Sequence, residues 1–218
     1  ANTVKEASGG DVMGAVIRGK RTDTAIDTIT GVVMNSWGDS SVDYPQNIWF
    51  DGGWDNPQID NPSIIRGLSQ YAALMSAGPD DIQAYDWNEA GTAMQQNLAA
   101  FFLDASLFGP WFESDESPSQ GNIGYTVIPP QTAGGQSYTA HWQWGIGMPA
   151  NAANKDAAWY FMQYITNKQN EPIIGAKHGG AARMSTWDNP AYADTLNPEY
   201  VSTTLESMKT TRSSVVMK

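Results

Sequence analysis

The sequence predicts an α/β protein in which short strands and amphipathic helices alternate along the chain and pack in layers. Three observations lead to this prediction. Short apolar runs that end at Gly, Pro or Asp indicate buried strands, whereas apolar residues repeated at helical spacing indicate helices. Asn and Pro residues also stand where several of these helices would begin.

The first predicted elements lie in the amino-terminal third of the chain. Residues 11–18 are typical of a short buried strand that ends at Gly19, and residues 22–33 carry apolar side chains at helical spacing. The stretch 37–62 is polar, aromatic and rich in Gly, Asp, Asn and Pro. It therefore predicts irregular structure, with a short hairpin around residues 48–50.

Two helices and a strand are predicted next. Asn61 is a favourable N-cap, and Pro62 is a favourable first residue, for a helix that ends at the Gly-Pro pair of residues 78–79. A second helix is predicted at residues 88–96. The apolar run 99–104 is short enough to be another buried strand.

The remaining third continues the alternation. Residues 123–128 are typical of a strand closed by two prolines, and residues 142–148 alternate large apolar side chains with Gln and Gly at the period of a strand. Asn154 begins the helix with the strongest signal, and residues 198–208 predict a final helix.

Composition limits the classes of partner. The chain has 218 residues, with 12 basic and 23 acidic side chains, a net charge of −11 and a pI near 4.4. Such a surface repels nucleic-acid phosphates and anionic lipid headgroups, so we expect no nucleic acid as a partner. No stretch approaches the roughly 18 apolar residues of a membrane span, so no membrane insertion of this segment is expected. The absence of cysteine excludes disulfides, thiolate metal sites and cysteine nucleophiles.

The sequence carries no specific signature of catalysis. Its two histidines are His141 and His178, and none of the common nucleophile, phosphate-binding or zinc motifs is present. Glu113 and Asp115 could serve as the paired carboxylates of a glycosidase. Acidic residues beside a loop are, however, far more often ordinary surface residues than catalytic ones.

The segment DGGWDNPQID suggests a calcium loop. Its aspartates, Asp51, Asp55 and Asp60, depart from the ligand spacing of an EF-hand. Capping of turns by Asp and Asn side chains is the interpretation we favour. We therefore expect no metal and no cofactor.

The positions of the tryptophans support a binding function better than a catalytic one. Trp54, Trp111, Trp142 and Trp144 lie in turns or beside glycines. Flat aromatic faces can stack on the C–H faces of sugar rings while polar groups bind the hydroxyls. The alternative for each is packing in a core short of Leu and Val, and Trp159, on the face of the strongest helix, is assigned to packing.

Two charged residues stand in apolar settings. Arg183 lies in the segment GGAARMS, where the choice is between a surface ion pair and a side chain that reaches into a cleft; we favour the cleft. Asp104 ends an apolar run, which suits either the N-terminus of an adjacent helix or a ligand hydroxyl.

Four segments then follow in a familiar order: TAMQQNLAAFFLDASLFGPW, IGYTVIPP, HWQWGIGMPANAANKDAAWYFMQYITN and GGAARMS. This series resembles the extracytoplasmic sugar-binding proteins of bacterial ABC importers, the maltose-binding-protein-like members of extracellular solute-binding protein family 1. The resemblance runs from about Met13 to the end of the chain.

The resemblance implies a type II periplasmic-binding-protein fold, in which two α/β lobes joined by a hinge close on a ligand. Family members are usually much longer, so the chain is expected to be a fragment with mostly the second lobe present. Residues 1–148 would form the second, C-terminal lobe. Residues 149–186 would cross into the first lobe and include the hinge, and residues 187–218 would return to the second lobe.

The resemblance also implies the ligand-binding residues. Trp111 and Trp142 would stack on the ligand, Asp104 would accept hydrogen bonds from hydroxyls, and Arg183 would donate to ring or hydroxyl oxygens. His141 replaces the glycine usual before Trp142 and would narrow the pocket or add a polar contact.

The expected function is a non-catalytic receptor for carbohydrate or polyol uptake, monomeric and located in the periplasm or at the cell surface. Its ligand-closed form would be recognised by the permease subunits of an ABC transporter. The alternatives are a carbohydrate-active enzyme or its sugar-binding module, and an oligopeptide or amino-acid receptor on the same fold. The scarcity of basic residues near the expected cleft disfavours the peptide receptor.

Overall fold

A computed structural model describes residues 1–37, 48–50, 55–142 and 144–212. The helices in this part of the chain are α1 (Asn2–Ala7), α2 (Ala25–Met34), α3 (Pro62–Ser76), α4 (Trp87–Gln95), α5 (Gly109–Phe112), α6 (Lys155–Thr166), α7 (Glu171–Lys177), α8 (Met184–Trp187), α9 (Pro190–Ala193) and α10 (Pro198–Lys209). Short 3₁₀ turns occur at Asn35–Trp37, Ile82–Ala84 and Ser106–Phe108. Two strands, β1 (Thr139–Ala140) and β2 (Thr211–Arg212), pair in parallel.

Local side-chain caps explain where the main helices begin. The Asn61 side chain accepts a hydrogen bond of 2.9 Å from the backbone N–H of Ser63 at the start of α3. Asn154 accepts one of 3.0 Å from Ala157 at the start of α6, and Asp86 forms a capping box at the start of α4. The helices predicted around α2, α3, α4, α6 and α10 are confirmed, with ends shifted by a few residues.

The strands predicted at residues 11–18 and 99–104 are found as two extended segments that run in parallel. They pair at two positions, Met13 with Ala99 and Val16 with Phe102, and backbone hydrogen bonds of 2.8–2.9 Å join them. Because the segments are parallel, their carboxyl ends, at Arg18 and Asp104, reach the same edge.

The strand predicted at residues 123–128 is wrong, because no neighbouring strand in the described part of the chain pairs with it. Side-chain contacts hold this segment instead. The ring of Tyr125 packs edge-on against Tyr200 of α10, with ring centroids 5.5 Å apart, and Thr203 donates a hydrogen bond to the Tyr125 carbonyl. An apolar run shows that a segment is partly buried but does not supply a strand partner.

The strand predicted at residues 142–148 is also wrong for the residues described there. The chain is a strand only at β1, just before this segment, and no described strand continues beside it. Alternating side chains therefore have no ladder of hydrogen bonds to hold them. For the predicted hairpin, Phe50 pairs antiparallel with Pro57, and residues 51–54 lie outside the described residues.

The core consists of several apolar clusters around these elements. One joins α2 to α3, where Val33 and Ile64 are fully buried. Gly67 allows the close approach of the two helices, since a Cβ there would lie 2.7 Å from the Cα of Val33. A second cluster packs α4 against the paired segments. A third unites the carboxy-terminal helices around Trp187, Tyr192 and Tyr200.

Helix α6 stands apart from these clusters. None of its residues is buried, although its surface is rich in large apolar side chains. Trp159 is 54 % exposed, and Tyr160 and Phe161 are exposed as well. The predicted packing of Trp159 is not found among the described residues, which place no apolar layer over this face of the helix.

Candidate functional site

The carboxyl ends of the two parallel segments meet in a buried ion pair. Arg18 donates from Nε to Asp104 Oδ2 at 2.7 Å and from Nη2 to Asp104 Oδ1 at 2.6 Å, a bidentate arrangement. The side chains of Arg18 and Asp104 are 4 % and 1 % exposed. Asp104 Oδ1 also accepts a hydrogen bond of 2.7 Å from the backbone N–H of Ala105. The charge at the end of each segment is thus satisfied by the other.

Arg18 is the centre of a larger polar network. Its Nη1 donates to Asp27 Oδ2 at 2.9 Å and to the carbonyl of Thr24 at 2.8 Å. The Tyr71 hydroxyl donates to the Arg18 carbonyl. Burial alone would lower the pKa of the Arg18 guanidinium, but the hydrogen bonds and charge of Asp104 outweigh it and raise that pKa. Arg18 is therefore a fixed positive charge.

Three aromatic residues that follow Asp104 in the chain pack together with Trp87 of α4; we call Trp87, Phe108, Trp111 and Phe112 the aromatic wall. The Trp87 and Trp111 rings stack with centroids 6.0 Å apart and an interplanar angle of 17°. Phe108 lies 4.8 Å from Trp87 and 5.7 Å from Trp111, measured between centroids. Phe108 and Phe112 are buried, whereas Trp87 and Trp111 are partly exposed. The two indoles are therefore the members that face solvent.

A glycine in α4 lets the rings of Phe108 and Trp111 lie close to this helix. Gly91 lies in the middle of that helix, and a Cβ there would be 2.5 Å from the rings of both Phe108 and Trp111. Only glycine leaves room for the rings in this arrangement.

Arg183 lies in a different part of the molecule. Its side chain is exposed and donates from Nη2 to the Thr166 carbonyl, at the end of α6, at 2.7 Å. Its backbone N–H donates to Glu171 Oε1 at 3.1 Å. The same buried carboxylate accepts hydrogen bonds from the Ala182 N–H and the Thr186 hydroxyl, so Glu171 holds the segment that carries Arg183.

His141 and Trp142 follow β1 on an exposed segment. Trp142 is 44 % exposed and Trp144 is 91 % exposed, so both rings are available for contact. Within the described residues, no hydrogen bond or ring contact links these side chains to the aromatic wall or to Arg183. The predicted site residues thus lie in three groups: Asp104 with Trp111, His141 with Trp142, and Arg183.

Sequence reasoning missed Arg18, Asp27 and Trp87. One signal could have found Arg18, because it ends a buried apolar run in the same way as Asp104 does. Charged residues at the carboxyl ends of two parallel strands meet at one edge. Trp87 had no comparable signal, since its neighbour in space lies far along the chain.

The segment considered for a calcium loop lies partly outside the described residues. Asp51 and Trp54 lie outside the described residues, and Asp55 and Asp60 are exposed. In the part of the chain that the structure describes, no three His, Asp or Glu side chains are grouped so that they could hold a metal ion. Across the same residues, no helix is both long enough and apolar enough to cross a membrane.

The comparison with known families matches residues 9–172 to a model described as bacterial extracellular solute-binding protein. The chain belongs to this family. It is 28% identical over 154 residues to the erythritol/L-threitol-binding protein of Mycolicibacterium smegmatis, a match that covers 69% of this chain and 31% of that protein. It is 25% identical over 205 residues to the mannitol-binding protein of Pseudomonas aeruginosa, covering 90% and 44%.

The fold agrees with that membership. The maltose-bound structure of MalE3 from T. maritima superposes with a TM-score of 0.80 at 18% identity, covering 100% of this chain and 53% of that one. The chain thus spans less than half the length of the two relatives and about half of this structure. The predicted type II fold class is confirmed, as is the location outside the cytoplasm that the family's description carries.

Proposed function

We propose that this chain is part of a receptor that binds a polyol or sugar outside the cytoplasm and delivers it to the permease subunits of an ABC transporter. The observation that carries the proposal is the pair of solvent-facing indoles beside the edge where two parallel segments end. In open α/β folds, ligands bind outside the carboxyl ends of the strands. The two relatives, which are named for polyols, support the same ligand class.

In this proposal Trp111 stacks on the C–H face of the ligand, as aromatic rings in ligand sites commonly do. The hydroxyl contact expected of Asp104 stays a prediction, and Arg18 and Ala105 already donate to both of its oxygens. Asp27 is more open, and of its two oxygens only Oδ2 accepts a hydrogen bond from a described residue. We therefore regard Asp27 as the better hydroxyl acceptor on this edge.

The remaining predicted contacts belong to the closed receptor. Trp142, with its exposed ring, would stack on the opposite side of the ligand, and His141 would add a polar contact. Arg183 would donate to hydroxyl or ring oxygens after releasing the Thr166 carbonyl. Closure around the ligand would bring the three groups together.

We further propose the lobe boundaries given by the resemblance: residues 1–148 and 187–218 in the second lobe, and 149–186 crossing to the first. The pairing of β2 with β1 supports the return of the carboxy-terminal segment. The exposed aromatic rings of α6 support its packing against the remaining half of the receptor.

The proposed receptor is monomeric, lacks catalytic activity, uses no cofactor and binds no nucleic acid. Glu113, one of the two carboxylates considered for a glycosidase, accepts hydrogen bonds from Tyr125, Asn197 and the Gly121 N–H. These contacts give it a structural role between α5 and α10. The high negative charge supports the exclusion of nucleic acid.

A thermal-shift screen of the protein as its gene encodes it tests the proposal, with polyols, sugars and amino acids as ligands. At about a hundred times the dissociation constant, a ligand adds about 2.7 kcal/mol to the free energy of unfolding. We expect polyols or sugars to raise the melting temperature and to be recovered unchanged. Recovery of a hydrolysed oligosaccharide would favour the enzyme, and stabilisation by amino acids alone would contradict a polyol receptor.

A further inference from the structure

The segment before each of the two indoles is tied to the same stretch of chain. Trp87 directly follows Asp86, whose carboxylate accepts hydrogen bonds from the hydroxyls of Thr24 at 2.6 Å and Thr22 at 3.2 Å. The Asp86 carboxylate also accepts from the Trp87 N–H at 2.8 Å. Residues 22–24 therefore fix the beginning of α4 and with it the first ring.

Arg18, just before residues 22–24, holds the segment that leads to the second ring. Trp111 lies in α5, which follows Asp104 after one short 3₁₀ turn. Asp104 is held by the bidentate hydrogen bonds of Arg18, and Arg18 also donates to the Thr24 carbonyl. The Arg18 guanidinium thus bonds both to Thr24, in the stretch that holds Trp87, and to Asp104, after which the chain continues to Trp111.

We propose that Arg18 is the positioning residue of the aromatic wall, and that Trp87 joins Trp111 as a second stacking residue for the ligand. The part of this proposal that concerns a ligand rests on the proposed function. Among the described residues Arg18 makes no contact with either indole ring; it acts by fixing the segments that carry the two rings.

The chemistry of the guanidinium makes this role specific to arginine. Four hydrogen bonds leave Arg18 in three directions, to Asp104, to Asp27 and to the Thr24 carbonyl. A lysine ammonium is a point charge on a flexible stem and cannot keep the planar, bidentate arrangement. Arg18→Lys therefore keeps the charge beside buried Asp104 but loosens the geometry.

The first test measures ring geometry without any ligand. Two stacked indoles give a far-ultraviolet exciton couplet in circular dichroism, and Trp87→Phe and Trp111→Phe identify the part of the signal that belongs to this pair. We expect Arg18→Lys to reduce that part, whereas Arg66→Lys retains it, because the exposed Arg66 side chain bonds, among the described residues, to Ser36 and Ser63 and not to the network of Arg18. A folded Arg18→Lys protein with an unchanged couplet would overturn the proposal.

Loss of stability alone must be separated from loss of ring geometry. Ile64→Val lowers stability within the α2–α3 cluster, away from the wall, and should leave the couplet unchanged. If Arg18→Lys does not fold, Asp104→Asn takes its place, since it breaks the bidentate pairing with Arg18 and keeps the Arg18 side chain. An unchanged couplet in Asp104→Asn would then count against the proposal.

The second test titrates the same proteins with mannitol and erythritol. An aromatic contact contributes about 0.5–1.5 kcal/mol beyond its buried area, so Arg18→Lys and Trp87→Leu should each weaken binding roughly 2- to 12-fold. If the unmutated protein binds no polyol or sugar but the couplet depends on Arg18, the proposed function fails and the positioning role stands. If it binds polyol and both variants bind equally well, the proposal about Arg18 and Trp87 fails alone.

Discussion

A substitution at Gly91 of α4 would disturb the packing of the aromatic wall directly. In Gly91→Ala the new Cβ would lie 2.5 Å from ring carbons of Phe108 and Trp111, about 1 Å inside the normal carbon–carbon contact distance. Phe108 is buried among other rings, whereas Trp111 is partly exposed. Trp111 is therefore the ring that we expect to move.

The expected change in stability follows from two opposing effects. Overpacking a tightly filled site costs about 1–3 kcal/mol. Alanine in place of glycine inside a helix contributes about 1 kcal/mol in the other direction. The free energy of unfolding of Gly91→Ala should therefore fall by up to about 2 kcal/mol, which corresponds to a few degrees in melting temperature for a chain of this length.

Gly31 provides the matched control, because it lies in the interior of α2 and a Cβ there would meet nothing within 4 Å. Gly31→Ala should gain about 1 kcal/mol from helix propensity alone. Urea unfolding followed by tryptophan fluorescence measures both variants. The predicted clash at Gly91 is refuted if Gly91→Ala gains as much stability as Gly31→Ala and keeps the tryptophan emission of the unmutated protein.

Three further predictions concern buried or bonded side chains. The hydrogen bond from Thr24 lowers the pKa of the Asp86 carboxyl. The Asp86 carboxylate therefore stabilises the fold above its ordinary pKa, and this contribution is lost as the pH falls through the pKa of the folded state. Asp86→Asn should flatten the acid side of a plot of melting temperature against pH, and a plot identical to that of the unmutated protein would contradict this. Burial raises the pKa of Tyr192 to about 12. The free energy of unfolding should therefore fall as the pH rises from about 10, the ordinary pKa of tyrosine, to that value. Tyr192→Phe should remove part of this loss when unfolding is measured at a series of alkaline pH values. Glu171→Gln puts an amide where a carboxylate accepts three hydrogen bonds. It should lower the free energy of unfolding in urea by about 1–3 kcal/mol. An unchanged urea midpoint would contradict this prediction.

Helix starts could be predicted from the sequence because their signals are local. Asn61 and Asn154 cap helices through backbone N–H groups two and three residues away. Such contacts need only the residues that the sequence shows side by side. Pro62 and Pro198 likewise mark the first residues of α3 and α10.

The predictions that the described residues do not bear out depended on partners far along the chain. Trp159 lies on an apolar helix face, which shows that something should cover it but not that the described residues do. The alternation of residues 142–148 likewise predicts a strand only if a neighbouring strand exists. Arg18 and Asp104 are 86 positions apart, so their ion pair becomes visible only once the two segments run in parallel.

The charges on this edge also indicate the kind of solute that fits it. Asp27 and Asp104 together exceed the single positive charge of Arg18, and the chain as a whole carries −11. An anionic solute such as a sugar phosphate would meet a negative potential there, and the Arg18 guanidinium is already engaged by the two carboxylates. A neutral polyhydroxyl compound meets no such repulsion, and it can stack on the indoles and donate to the open oxygen of Asp27. Electrostatics and ring geometry therefore both support the proposed class of ligand, a neutral polyol or sugar.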